Sequence, residues 1–264
     1  MKVAYTITLL LLAISVKGSD SCLWRFLQKH PILFEWGYNI ETYSKSDIRI
    51  FDGKDNDFIL YDVEARDQPD MHFVLKSPFQ ITVPQYSVRL GLMLNIKKKR
   101  GLVLSFDHAK YVVKNYQAVK VKGKLKGESV DSTMILDPNS FFHFEHTNSA
   151  NFLQLGYFRE YGVLGKPERP RMIITTQLLA GVVIPKTYVK LWGTELDNKF
   201  HLAGFILSAE LGAKLHFSRS FYLAAQFRAG YANYMDVLAA CDAKASHSFF
   251  YSEGIICLGY LLSI

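Results

Sequence analysis

From Leu207 to Phe217 the chain alternates strictly. Leu207, Ala209, Leu211, Ala213, Leu215 and Phe217 take one parity; Ser208, Glu210, Gly212, Lys214 and His216 take the other. After Ser218-Arg219-Ser220 the pattern resumes. Phe221, Leu223, Ala225, Phe227, Ala229 and Tyr231 oppose Tyr222, Gln226, Arg228 and Gly230. Successive side chains of a strand point to opposite faces, so each run predicts a strand with one apolar and one polar face. Each run has the ~9–11 residues a tilted strand needs to cross a bilayer. An apolar outer face over a polar inner one is the pattern of a membrane barrel.

The same period marks six further spans. In the first, Phe34, Trp36, Tyr38 and Ile40 oppose Glu35, Gly37, Asn39 and Glu41. Tyr86 to Ile96 makes the second and Leu102 to Asp107 the third. Leu153 to Tyr157 marks the fourth and Ile174 to Ile184 the fifth, while Ile256 to Ile264 closes the chain. Lys97–Gly101, Glu160–Pro170 and Ser218–Ser220 read as short turns, which belong on the periplasmic side. Residues 45–83, 114–150, 186–199 and 235–247 then fall outside the cell as longer loops. The expected fold is all-β: a transmembrane antiparallel up-and-down β-barrel of about eight strands, with long extracellular loops. The count becomes ten if the strand-like segment 57–65 joins the wall.

Residues 1–18 read as a secretory signal, with Lys2 before the short apolar core Ile7–Val16. Residues 19–33 form a lead in which Leu23, Trp24, Phe26 and Leu27 would share one face of a short amphipathic helix. Residues 34–264 make the barrel. No later segment has the roughly 18 consecutive apolar residues of a spanning helix.

The polar parity supplies the candidate chemistry. Glu35, Glu41, Asp107, Glu210 and Glu253 would face Arg89, Lys214 and Arg228 across the lumen. An interior of about eight strands is only wide enough to be filled by side chains. Buried charges are tolerable only when paired, so these residues predict an ion-pair plug rather than a wide pore. The candidates for catalysis lie at the outer rim: His108, and His143, Glu145 and His146 of the HFEH stretch. No Ser–His pair has a diagnostic spacing. On a strand His143 and Glu145 share a face that His146 opposes, which argues against a metal site. No metal and no cofactor is expected.

With 49% hydrophobic and 14% aromatic residues, 15 Tyr and 19 Phe, the composition suits a barrel with aromatic girdles at both interfaces. The net charge of +7 admits nucleic acid, anionic lipid or acidic glycan as partners. No nucleic-acid motif is present, so nucleic acid is set aside. Outer-membrane lipid and lipopolysaccharide phosphates are the nearest anions, although solvated Lys on loops accounts for much of the charge. The row Lys120, Lys122, Lys124 and Lys126 reads either as a contact for lipid phosphates or as the solvated face of an edge strand. Cys22, Cys241 and Cys257 leave at least one thiol unpaired.

Several segments carry a resemblance: YSKSDI at Tyr43–Ile48, DFILYDVEARDQP at Asp57–Pro69 and VPQYSVRLG at Val83–Gly91. FDHAKYVV at Phe106–Val113 and FEHTNSANF at Phe144–Phe152 add to it. Together they resemble a family of uncharacterised outer-membrane β-barrel proteins of Bacteroidetes-type bacteria. The resemblance implies the fold and a bacterial outer-membrane location, and it carries no catalytic residues. The expected function is that of a monomeric structural or surface-binding barrel acting through loops 45–83 and 114–150, with an unidentified extracellular ligand. The alternative is a lipid A-modifying hydrolase or acyltransferase with its site at the outer rim.

Overall fold

The computed structural model describes residues 22–70, 72, 84–147, 150–166 and 169–262. The signal read over 1–18, part of the first long loop and Ile264 lie outside the described residues. Helix α1 (Cys22–Lys29) leads into the wall. The wall strands are β1 (Ile32–Tyr43), β5 (Tyr86–Asn95), β6 (Arg100–His108) and β11 (Ala150–Lys166), followed by β12 (Arg169–Pro185), β15 (Gly204–His216), β16 (Phe221–Leu238) and β17 (Lys244–Leu262). They pair antiparallel in that order, and β1 pairs with β17 from Ile32↔Leu262 to Tyr43↔Tyr251. The sheet therefore closes on itself at eight strands, each paired with a wall neighbour on both sides.

Burial follows the parity read from the sequence. Leu207, Ala209 and Leu211 are exposed on the outside of β15, and Ser208, Glu210 and Lys214 are buried within. Leu90, Leu104, Leu155, Leu178, Phe227 and Ile256 face outward around the rest of the wall. Leu178 is 69% exposed, and it is one of a band of outward apolar residues rather than the scattered single ones usual on a water-facing surface. Closure satisfies the backbone and the outer face is hydrocarbon-like, which together are what spanning a bilayer requires of strands. The protein is an outer-membrane β-barrel, and it resides in the bacterial outer membrane.

Segment 57–65 does not join the wall. Strand β2 (Ser46–Phe51) adds to the upper end of β17 through Lys244↔Phe51 to His247↔Ile48. Strands β3 (Asp57–Val63), β8 (Ala118–Leu125) and β9 (Glu128–Ile135) continue the sheet beyond it. A second sheet holds, in spatial order, β14 (Thr194–Asp197), β13 (Tyr188–Leu191), β10 (Phe142–His146), β7 (Tyr111–Val113) and β4 (Ala65–Arg66). Ile48, Ile50, Phe58 and Val121 of the first sheet share one apolar core with Phe142, Phe144, Val113 and Val189 of the second. What the sequence reads as loops 45–83, 114–150 and 186–199 is thus largely a folded extracellular domain.

Two hairpins in that domain turn on consecutive residues with positive φ: Lys126 at 51° with Gly127 at 87°, and Trp192 at 50° with Gly193 at 79°. Their twist matches that of the flanking strands, but Lys-Gly and Trp-Gly are weaker signals than Asn-Gly. Two boundaries also move. The turn expected over Glu160–Pro170 is the end of a tall hairpin, with β11 and β12 paired out to Lys166↔Arg169. The loop expected over 235–247 is shortened by β16, which runs to Leu238, and by β17, which begins at Lys244.

Candidate functional site: the filled lumen and the histidines above it

The predicted lumen residues all converge. Glu210 on β15 and Arg228 on β16 are direct partners in the ladder, and Arg89 on β5 reaches Glu210 from across the barrel. Arg89 donates to both oxygens of Glu210 at 2.8 Å, while Arg228 Nε donates to Glu210 Oε2 at 3.0 Å. Arg228 Nη1 lies 2.5 Å from Asp107 Oδ2 and 3.2 Å from Glu253 Oε2. Ser87 and Ser105 donate to the two Asp107 oxygens at 2.6 and 3.0 Å. Toward the periplasm, Lys214 Nζ bridges Glu35 at 3.0 Å and Glu160 at 3.1 Å. Toward the outside, Asn39 Nδ2 donates to Glu253 at 2.9 Å and Glu41 at 3.2 Å, and Tyr43 donates its hydroxyl to Glu41.

Each of these charged groups is at least nine-tenths buried, so each relies on its partners in place of water. Glu160 belongs to this lattice, although its Gly- and Pro-flanked context reads as a turn. The period-two rule extended two residues past Phe158 would have found it. Tyr222 and Gln226, which donate to Glu35 at 2.9 and 2.8 Å, were legible by the same parity.

Apolar groups complete the filling. Leu33, Met93, Val103, Phe158 and Cys257 pack together in the periplasmic half. The void bordered by Glu35, Arg89, Phe158 and Lys214 holds only ≈ 10 Å³, at most the room of one water. At the outer end, Phe152, Ile206, Tyr234 and Tyr251 of the wall join the core of the extracellular domain. That domain is therefore continuous with the barrel interior and closes it from above.

The rim candidates do not form one site. His108 ends β6, its ring stacked on Tyr86 with centroids 5.2 Å apart and its Nδ1 at 3.3 Å from Asn151. His143 and Glu145 share the outer face of β10, with His143 Nε2 at 3.1 Å from Glu145 Oε2. Thr147 donates to Glu145 at 2.7 Å, and Asn115 Oδ1 lies 2.8 Å from His143 Nδ1. Burial raises the Glu145 carboxyl, but hydrogen bonds from His143 and Thr147 outweigh it and hold the group below its ordinary range.

His146 points the other way and is fully buried, so it is not a rim group. Its Nε2 lies 3.2 Å from Nε2 of His247, its Nδ1 is 2.9 Å from Thr187, and His247 Nδ1 is 3.4 Å from Ser46. The result is a buried hydroxyl–imidazole–imidazole–hydroxyl chain between the sheets. Desolvation holds His146 well below the usual imidazole value. His247 escaped the sequence reading because it sat in an expected loop, yet it has the parity of the inward Tyr251 and Glu253.

Among the described residues no group of three or more His, Cys, Asp or Glu side chains is placed to hold a metal. Cys241 is exposed, Cys257 is buried, and both are free thiols.

No family model matches the chain, and no curated protein does at a significant level. Among solved structures, the outer membrane protein OprG from Pseudomonas aeruginosa is 14% identical with a TM-score of 0.42, over 90% of this chain and 98% of that one. The outer membrane protease OmpT from Escherichia coli is 8% identical with a TM-score of 0.40, over 89% and 97%. Ail, the attachment invasion locus protein of Yersinia pestis, is 11% identical with a TM-score of 0.34 in its complex with a heparin analogue, over 89% and 99%. The assignment as an outer-membrane barrel stands on this chain's own closed wall and apolar outer face.

Proposed function

We propose that this protein is a structural and surface-binding barrel whose working part is the extracellular two-sheet domain. The observation that carries this reading is the continuous core that joins the domain to the lumen and fills it. A barrel built this way holds a rigid surface above the membrane and leaves no wide path for solutes. The β8–β9 hairpin projects furthest along the first sheet, with β9 exposed along almost its whole length. In this reading the barrel is a monomer in contact with lipopolysaccharide, and the sequence resemblance supports its place among Bacteroidetes-type barrels.

The reading is tested with cells carrying the full chain or a chain in which residues 118–135 are replaced by a short Asn-Gly turn. Adhesion to surfaces coated with extracellular-matrix protein is expected to fall with the hairpin removed; equal adhesion counts against the reading. The lipid A-modifying alternative draws on the His143–Glu145 pair alone. An unchanged lipid A mass profile in cells with and without the protein removes it.

A further inference from the structure

The net positive charge is not spread evenly over the molecule. On the extracellular domain, acids and bases interleave: Arg49 pairs with Asp57, Lys114 with Glu64, Lys120 with Asp131, and Lys190 with Glu195. The Lys row of β8 is part of that balance. At the periplasmic end the connections carry Lys97–Arg100, Lys166, Arg169, Arg171 and Arg219, and α1 adds Arg25 and Lys29. Among the described residues no exposed carboxylate faces them, because Glu160 turns inward to Lys214.

Part of this charge lines a shaped recess. On the outer wall, at the periplasmic interface, Lys97, Lys98, Lys99, Arg100 and Arg159 surround ≈ 540 Å³ together with Tyr157, Tyr161 and Glu160, whose carboxylate is paired with Lys214. The recess is preorganised. Lys98 N donates to Asn95 Oδ1 at 2.9 Å, and Glu160 N donates to Lys99 O at 2.8 Å, which fixes the lysine turn against β11. The Arg159 guanidinium lies 5.0 Å from the centre of the Tyr161 ring. Lys97, Lys98, Arg100 and Arg159 make no ion pair among the described residues.

A second groove, of ≈ 580 Å³, leaves this recess along the wall and shares Tyr157, Arg159 and Tyr161 with it. The ladder pairs place Tyr157, Leu178, Ala209 and Ala229 side by side across four strands, with Leu211 and Phe227 on the next row. The two alanines make a floor between the larger side chains of Tyr157, Leu178, Leu211 and Phe227. Its walls are the surface that faces hydrocarbon. A cationic recess with tyrosines at headgroup height, joined to an apolar channel within the bilayer, has the shape and charge of one amphiphile.

We infer that this face binds an anionic glycerophospholipid of the periplasmic leaflet. Its phosphate sits among Lys97, Lys98 and Arg159, and one acyl chain lies over Ala209 and Ala229. Guanidinium and ammonium groups suit phosphate oxygens, and the desolvated wall suits the chain. The proposal is independent of what the extracellular domain does.

The test uses the full chain in a zwitterionic detergent. Native mass spectrometry counts adducts with phosphatidylglycerol, phosphatidylethanolamine and phosphatidylcholine of identical acyl chains. Phosphatidylglycerol is expected to be retained preferentially. Its apparent affinity should fall roughly fivefold per cation neutralised in K97Q/K98Q/R159Q, the equivalent of about 1 kcal/mol per basic residue near a lipid surface. A209W should weaken the adduct with every cation in place, and K120Q/K122Q/K124Q should leave it unchanged. Equal retention of the three lipids, or a preference that survives K97Q/K98Q/R159Q, overturns the proposal. So does glycerol phosphate, offered in the same assay, binding as well as the lipid, which would make the recess a free-phosphate site.

Discussion

His146 Nε2 and His247 Nε2 lie 3.2 Å apart between the two extracellular sheets, each ring stacked against Tyr234. A contact this short between imidazoles needs one shared proton, and adding a proton to either ring would place an uncompensated positive charge in an apolar core. His146 accordingly has a folded value well below the ordinary imidazole value of 6.5. Between those two values the unfolded chain binds more protons than the native one. The contribution of His146 to stability is therefore complete above about pH 6.5 and is lost as the pH falls below it, by up to about 1.4 kcal/mol per pH unit. Protection of the amides of 111–113 and 142–146, taken relative to the intrinsic exchange rate at each pH, should be high at neutral pH and lower at about pH 5. The variant His146→Phe/His247→Phe should flatten that dependence. Identical protection factors in wild type at the two pH values would count against the buried pair.

In the lumen, Arg228 is the cation shared by Asp107, Glu210 and Glu253. Arg228→Met leaves those carboxylates close together without it and should cost about 3–5 kcal/mol. The urea-unfolding midpoint of barrels refolded into lipid vesicles measures this. Adding Asp107→Asn and Glu253→Gln should recover part of the loss, because it removes the uncompensated charge. A loss that the added substitutions deepen would mean that the residues do not act as one lattice.

Filling of the lumen has an electrical consequence. The wild-type barrel in a planar bilayer should give no resolvable stepwise conductance. Steps of constant size in the purified protein would contradict the packed interior around Arg89 and Phe158.

Gly259 lies opposite Tyr222 in the β16–β17 ladder, and the Tyr222 ring occupies the space over it. A Cβ at Gly259 would fall 2.1 Å from a Tyr222 ring carbon. Gly259→Ala should therefore push the ring off Glu35, at a cost of about 1–3 kcal/mol typical of overpacking. Tyr222→Ala should cost less in the Gly259→Ala background than alone, read from the same unfolding midpoints. Simple additivity would show that the ring is held elsewhere.

The wall was legible because each span repeats one rule many times. A bilayer outside and a polar lumen inside force the two parities apart, as in Leu207–Phe217. The lattice was legible for the same reason, down to the facing of Glu35, Arg89 and Glu253. The extracellular domain was not. Its strands are short and mixed in polarity, and β7, β10 and β13 have partners far apart in sequence, such as Phe142↔Leu191. No local period announces such pairings, and the pairing of His146 with His247 across 101 positions depends on them. Glu160 was misplaced because glycine and proline ordinarily mark a turn, whereas here they lie in a hairpin that continues beyond the bilayer.

Membrane insertion of the barrel rests on what touches the outward rows. Nitroxide labels placed one at a time at Leu90, Leu104, Leu178 and Leu211, in the barrel reconstituted in vesicles, test this by collision with oxygen or a water-soluble nickel complex. Labels at those positions should meet oxygen readily and nickel hardly at all, while a label at Lys122 should do the reverse. Free access of nickel to the four leucine positions would show that water covers that face, and the barrel would not be a membrane one.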